Sequence, residues 1–159
     1  MLRRRRQNPE IEGLWAAERV LVRADGPQGP VAATDQRLIW ADGSIAWHEI
    51  ERASWDGDDE VLTVEPVATS GRKRVHRLPI ATPGRLVDVV RERVVASVVI
   101  SRHVPLRGRR GVRVTGRRQA DGELIWSAVL DPGIDMRDAE TRHQVDTAVA
   151  AVRHEVEVR

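Results

Sequence analysis

Cysteine is absent from the 159 residues, which excludes disulfide frameworks, thiolate zinc sites and cysteine nucleophiles. Long apolar stretches are absent too: the longest run, residues 94–100, has seven residues and is too short to span a bilayer. The N-terminus carries four arginines, Arg3 to Arg6, followed by polar residues, and it lacks the apolar region of a secretory signal. These absences predict a cytoplasmic protein. A peripheral position at the inner face of the membrane is compatible with them.

Phenylalanine and tyrosine are also absent, and a single lysine stands against 25 arginines. The codons of these three residues are AT-rich, so the bias indicates a GC-rich genome such as that of an actinobacterium. The isoelectric point is high, but the formal net charge at pH 7 is only +2, because few side chains titrate between histidine and arginine. The isoelectric point alone therefore does not indicate a nucleic-acid partner.

The charge is unevenly distributed along the chain. Residues 1–70 and 119–159 are each net negative by five, whereas residues 71–118 hold 14 basic side chains against Asp88 and Glu92. Such an excess of basic residues in one segment predicts a surface that binds an anionic partner. The alternative is that basic strands lie beside acidic ones in the folded sheet and neutralise one another.

Catalytic and metal-binding motifs are missing. The five histidines form no H-x-H or H-E-x-x-H pattern, and no serine lies in a G-x-S-x-G elbow. The acidic stretch 56–60 lacks the residue spacing of a calcium-binding loop, and it predicts a tight hairpin turn. The sequence therefore predicts a protein that is not an enzyme and that needs no metal or cofactor.

The first half of the chain alternates short apolar strands with turns, and residues 82–96 follow as an amphipathic helix that begins at Thr82 and Pro83. A two-residue turn at Asp42-Gly43 would pair Trp40 with Ile45 and would place large side chains on one core face. The second half predicts a strand, a β-hairpin and a helix over about 138–157.

The hydrophobic pattern selects the register of the second hairpin. A three-residue loop, with Gly122 in the left-handed conformation, places Val112 and Val114 on the same face as Trp126. Trp126 is then a core residue, as are Trp40 and Trp47. The same register sends Arg113, Thr115 and Arg117 together to the opposite face, where we expect solvent.

Two segments resemble a known family. Thr34-Asp35-Gln36-Arg37-Leu38-Ile39 is similar to the T-D-x-R-L-[LIV] strand of bacterial PH-like and GRAM-type domains, and the stretch 45–50 is similar to the I-P-[WY]-x-[DE]-I segment that follows it, with Ala46 in place of proline. The whole chain resembles small actinobacterial proteins of this kind. The loop at 25–30 carries no basic residue, so inositol-phosphate binding there is not expected.

The resemblance implies an α+β fold. Over residues 11–97 it implies a PH-like antiparallel β-barrel with a C-terminal amphipathic helix. The residue pattern adds a basic disordered arm at 1–10 and, over 98–159, a strand, a β-hairpin and a second helix packed on or beside the barrel. PH-like domains serve mostly as adaptors, but a fold does not determine a function.

These features predict a binding or adaptor module, whose partner is a protein or an anionic lipid surface. Arginine forks onto phosphate bidentately, so a second hypothesis is binding to a nucleic-acid backbone. A third is self-association through the appended hairpin or helix. The candidate anion-binding residues for the electrostatic modes are Arg107, Arg109, Arg110, Arg113, Arg117 and Arg118.

Overall fold

A computed structural model describes residues 11–68 and 74–158, so the predicted basic arm at 1–10 lies outside the described residues. The strands are β1 (Val20–Gly26), β2 (Gly29–Thr34), β3 (Arg37–Trp40), β4 (Gly43–Ala46), β5 (Ile50–Asp56), β6 (Val61–Pro66), β7 (His76–Pro79), β8 (Val98–Arg107), β9 (Arg110–Arg118) and β10 (Leu124–Leu130). A 3-10 turn, Trp47–Glu49, separates β4 from β5, and the helices are α1 (Leu86–Ser97) and α2 (Ala139–Glu157).

The strands form three antiparallel sheets with the orders β1-β2-β3-β4, β5-β6-β7 and β10-β9-β8. The first two sheets and α1 enclose one core, in which Leu38, Ile45, Ile50 and Leu86 are fully buried. The third sheet and α2 enclose a separate core around Val114 and the apolar stripe of α2. We call these two parts the first unit and the second unit.

The predicted closed PH-like barrel is wrong, because none of the three sheets closes on itself. The 3-10 turn redirects the chain after β4, so that β5 starts a new sheet instead of extending the first one. On the other side, β7 ends at Pro79, which has no N–H to donate to a neighbouring strand. A backbone bond from Ala81 to the carbonyl oxygen of Asp25, 3.3 Å long, links β1 to the residues beyond β7.

The hairpin of β3 and β4 differs from the predicted register by two residues. Leu38 pairs with Ile45, and Trp40 pairs with Gly43, which places the turn at residues 41–42. A Cβ atom on Gly43 would lie 3.0 Å from the ring of Trp40, so the glycine makes room for the indole. A shift of two residues keeps every side chain on the same face of the sheet. The core face is therefore as predicted. Leu38, Ile45 and Trp47 are buried, and the partly buried Trp40 packs against the same core.

Helix α1 begins three residues later than predicted, at Leu86 rather than Pro83. Gly84 has a φ of +52°, a left-handed conformation that no right-handed helix contains. Residues 83–86 therefore form a turn, closed by the bond from Leu86 N–H to the carbonyl oxygen of Pro83 at 2.9 Å. Thr82 and Pro83 mark the turn that leads into the helix and do not cap it.

The register of the second hairpin is confirmed. Gly122 has a φ of +88°, and the N–H of Gln119 donates to the carbonyl oxygen of Glu123 at 2.8 Å, which closes a three-residue loop. Trp126 pairs with Gly116 and packs, partly buried, against the second core. A Cβ atom on Gly116 would lie 2.9 Å from the ring of Trp126, so a glycine is needed beneath this indole too.

Candidate functional site

The predicted arginine cluster is spread along β9 and does not form one site. Strand β9 has nine residues, so its ends, Arg110 and Arg118, lie roughly 26 Å apart at about 3.3 Å per residue. Arg107, Arg109 and Arg110 surround the turn between β8 and β9 at one end. Arg118 lies at the other end, beside the tip of the second hairpin.

Arg107 is bound within the protein. Its Nη2 donates to Asp138 Oδ2 at 3.0 Å and to Thr141 Oγ1 at 2.7 Å, and so it ties the end of β8 to the first turn of α2. Asp138 is the N-cap of α2 and accepts from the N–H of Glu140. The hydrogen bonds from Thr141 and Glu140, together with that from Arg107, hold the pKa of Asp138 below its ordinary value.

The neighbouring arginines lie against an acidic loop. The guanidinium of Arg110 lies against Gly133 in the loop after β10, which starts at Asp131. Asp131 Oδ2 lies 2.7 Å from His103 Nε2 and accepts from the N–H of Gly111 at 2.8 Å. These two bonds lower the pKa of Asp131, and the charge of Arg113 acts in the same direction. At this end of β9, Arg107 is paired with Asp138 and His103 with Asp131, whereas Arg109, Arg110 and Arg113 are exposed.

Arg117 is not exposed to solvent as predicted. The register does place it with Arg113 and Thr115 on the face opposite the second core, but the first unit covers this part of the face. Its side chain is 4% exposed, and its Nη1 lies 3.2 Å from Glu51 Oε2 on β5 and donates to Ser127 Oγ at 3.0 Å. Arg117 therefore joins the two units through a buried ion pair and is not available to a ligand.

Arg118 is the cluster member that reaches a cleft between the two units. It lines a cavity of about 180 Å³ together with Arg93 near the end of α1 and His48 in the 3-10 turn. Asp35 and Gln36, from the turn between β2 and β3, also line it. Two arginines and a histidine from three separate elements thus line one cavity, and Arg118 Nη1 also donates to the carbonyl oxygen of Gly122 at 3.3 Å. Such a group of side chains can hold a carboxylate by charge-assisted hydrogen bonds.

The cleft continues into a second hollow of about 290 Å³, which shares Gln36, His48 and the hairpin tip with the first. Its apolar floor is Trp15, whose side chain is 52% exposed. Glu49 and Asp121 add carboxylates at its rim. An exposed tryptophan in a concave surface is typical of protein-binding sites, where this residue type often dominates the binding energy.

Trp15 is held in place by a buried ion pair. The guanidinium of Arg37 stacks 3.9 Å from the centre of the indole and donates to both carboxylate oxygens of Glu18 at 3.0 Å. Glu18 also accepts from Thr34 Oγ1 at 2.6 Å and from the backbone N–H of Trp15 at 2.9 Å. Burial raises the pKa of Glu18, but the bonds from Arg37 and Thr34 outweigh it and bring the value below the ordinary one.

The cleft residues were only partly foreseen from the sequence, which named Arg118 but not Trp15, His48 or Arg93. Trp15 follows no periodic apolar pattern, which is a signal for an exposed aromatic side chain. Arg93 is one of 25 arginines and carries no signal of its own. Within the described ranges, no three His, Asp or Glu side chains are arranged to hold a metal ion.

Comparison with known protein families, with curated proteins and with solved structures finds no match to this chain. The resemblance to PH-like domains therefore stays a prediction from the residues at 34–39 and 45–50. In the part of the chain that the structure describes, no helix has the length and apolar character needed to cross a membrane.

Proposed function

We propose that this protein is a non-enzymatic binding module that holds an extended segment of a protein partner in the cleft between its two units. The segment carries one or two acidic side chains next to an apolar one. The observation behind this proposal is that Arg93 and Arg118 line a hollow that adjoins the one lined by the exposed Trp15. The cytoplasmic location expected from the sequence belongs to the same proposal.

Charge supports the binding of an acidic side chain in the first hollow only, because the first hollow is net positive by one and the second net negative by two. Arg93 and Arg118 lie in the first hollow, where Asp35 already accepts the backbone N–H of Arg19 at 2.8 Å. Glu49 and Asp121 border the second hollow. Two guanidinium groups attract a carboxylate, whereas the flanking carboxylates repel a ligand that carries a negative charge at every position. This arrangement favours a short acidic peptide over a phosphate backbone or an anionic membrane.

The positions of the other arginines support the same choice. Arg107 is bonded to Asp138, Arg110 and Arg113 lie near the loop that begins at Asp131, and Arg117 is buried. Binding to a lipid surface or a nucleic-acid backbone needs several accessible cations on one face. Of the six candidate residues, Arg117 is buried, Arg118 lies at the far end of β9 and Arg107 is paired with Asp138, which leaves Arg109, Arg110 and Arg113 as exposed cations at one end of the sheet.

Shape and rigidity support binding of an extended chain. The two hollows adjoin, so a peptide that passes from Arg93 to Trp15 would contact the 3-10 turn on one side and the hairpin tip on the other. Trp15 is fixed from below by Arg37, so little side-chain freedom is lost on binding.

Fluorescence anisotropy tests the proposal. The probe is a fluorescein-labelled peptide, Gly-Glu-Glu-Leu-Leu-Gly, and the comparison peptide has glutamine in place of glutamate. We expect binding of the acidic peptide and a loss of at least about tenfold in affinity for the Arg93→Gln/Arg118→Gln variant. The matched control, Arg109→Gln/Arg110→Gln, removes the same charge from the opposite end of β9, and its affinity should match the wild type.

Three outcomes would overturn the proposal. One is equal binding of the acidic and glutamine peptides, and another is an equal loss in both double variants. The third is salt-dependent binding to phosphatidylserine vesicles or to an oligonucleotide that is tighter than binding to the acidic peptide. In this outcome, only the Arg109→Gln/Arg110→Gln variant loses the binding. The last result would restore the membrane or nucleic-acid hypothesis at the turn between β8 and β9.

A further inference from the structure

Strand β10 differs from every other sheet edge in the described part of the chain. The three sheets have six edge strands: β1, β4, β5, β7, β8 and β10. Proteins usually protect such edges from pairing with another chain, by means of charges, proline, bulges or short length. Strand β10 spans seven residues, Leu124–Leu130, and has no charge, no proline and no irregularity in its pairing with β9.

The other five edges all have such protection. Strands β1 and β5 carry charged side chains and a register shift, and β4 and β7 have only four residues each. Strand β8, the opposite edge of the same sheet, has two register shifts, Pro105 and the charged Arg102 and Arg107. Because the β8 edge of this sheet is protected and the β10 edge is not, we expect the β10 edge to be paired with another strand in the functional protein.

The side chains of β10 are incompletely covered as well. Helix α2 lies mainly over β8 and β9, so that Leu124, Trp126, Ala128 and Leu130 are only half-buried. On the other face, Val129 is 45% exposed. A neighbouring strand would extend the second core across this edge.

We propose that β10 pairs with β10 of a second copy of this chain, antiparallel about a two-fold axis at Ser127, to form a six-stranded sheet. The inference is independent of the proposed cleft function. The backbone of Glu123 bonds to Gln119, just beyond β9, and that of Asp131 bonds to Gly111 on β9. The backbone groups of the even-numbered residues between Glu123 and Asp131 therefore point away from β9. The axis at Ser127 pairs even-numbered residues with each other, as hydrogen bonding requires.

The side chains are self-complementary in this register, which favours a second copy over an unrelated strand. Leu124 lies opposite Leu130 of the other copy, Trp126 opposite the small Ala128, and Ile125 opposite Val129. Ser127 meets its own symmetry mate. A single seven-residue strand gives an interface at the small end of the range for stable complexes, so we expect a Kd on the order of 10 µM.

Sedimentation equilibrium of the wild type across this concentration tests the pairing. We expect a change from monomer to dimer, and its loss in the Val129→Lys variant. Val95 lies on α1 in the first unit and is 71% exposed, so Val95→Lys adds the same charge at a matched valine outside β10 and should leave the dimer intact. The proposal would be overturned if the wild type stays monomeric at concentrations well above the expected Kd. It would also be overturned if Val129→Lys and Val95→Lys reduce dimer formation equally.

Because the chain has no cysteine, a crosslink reports the register directly. Facing residues of a non-hydrogen-bonded antiparallel pair have Cα atoms about 4.5 Å apart, within the range for a disulfide. Ser127 is buried and bonded to Arg117, so the crosslink is placed at Ile125 and Val129, which face each other in this register. Under mild oxidation, the Ile125→Cys/Val129→Cys variant should form a disulfide-linked dimer. Val129→Cys alone should not, because its two thiols would be separated by four residues of the strand. Equal crosslinking of the double variant and of Val129→Cys alone would show random collision and contradict the pairing.

Discussion

The ion pair between Glu51 and Arg117 should respond very differently to the loss of each partner. Arg117 is 4% exposed and the Glu51 side chain 26% exposed, and in the described structure both Arg117 Nε and Glu51 Oε2 are buried without a hydrogen-bond partner. Removal of one partner from a fully buried pair costs about 3–5 kcal/mol, because the remaining charge is left uncompensated in a low-dielectric environment.

In Glu51→Ala the remaining charge is the buried guanidinium, held only by Ser127. We expect a loss of about 3 kcal/mol in the free energy of unfolding, at the low end of that range because water reaches the Glu51 side of the pair. In Arg117→Met the remaining charge is the carboxylate of Glu51, whose Oε2 is buried but whose side chain is 26% exposed, so that water solvates part of it, and the methionine refills the space. We expect a loss of only about 1 kcal/mol.

Urea denaturation followed by tryptophan fluorescence measures both values, and the Glu51→Ala/Arg117→Met double variant completes the cycle. The double variant should be close in stability to Arg117→Met, because it buries no unpaired charge. Equal losses in the two single variants, or losses below about 0.5 kcal/mol in both, would show that Arg117 is hydrated and that the two units are not joined by this pair.

Three further predictions concern the cores and the acid response. Folding lowers the pKa of Glu18, so the carboxylate stabilises the fold at pH values above the pKa that it has in the unfolded chain. This stabilisation is lost as the pH falls through the lower pKa of the folded protein. Acid unfolding below about pH 4.5 should therefore be less steep in Glu18→Gln. A Cβ atom on Gly111 would overlap the carbonyl oxygen of Val104, so Gly111→Ala should lower the urea midpoint strongly, whereas Gly57→Ala in an open turn should not. Leu86 is fully buried, so Leu86→Ala should cost about 2–5 kcal/mol by urea titration.

The second hairpin was predictable from the sequence because its information is local. The alternation of Val112 and Val114 with Trp126 chooses between two registers, and Gly122 supplies the left-handed residue that the correct loop requires. The hairpin at Trp40 was predicted with the right faces and the wrong turn. A shift of two residues leaves the hydrophobic pattern unchanged, so the pattern could not exclude it.

The errors came from contacts between distant parts of the chain. Closure of a barrel depends on whether the first and last strands pair along their edges, and no local pattern encodes that pairing. The burial of Arg117 depends on Glu51, which is 66 residues earlier in the chain. The sequence indicated the face on which Arg117 lies, but not the unit that covers this face. For the same reason it named Arg118 and not its neighbours Arg93 and Trp15.

Heteronuclear NMR of the wild-type protein tests the central claim most directly. Titration of the ¹⁵N-labelled chain with the peptide Gly-Glu-Glu-Leu-Leu-Gly reports which arginine side-chain and tryptophan indole signals move. The account predicts shifts at Arg93, Arg118 and Trp15, with Arg109 and Arg110 unchanged. Shifts confined to Arg109 and Arg110, or no shifts at saturating peptide, would contradict an acidic-peptide site in the cleft between the two units.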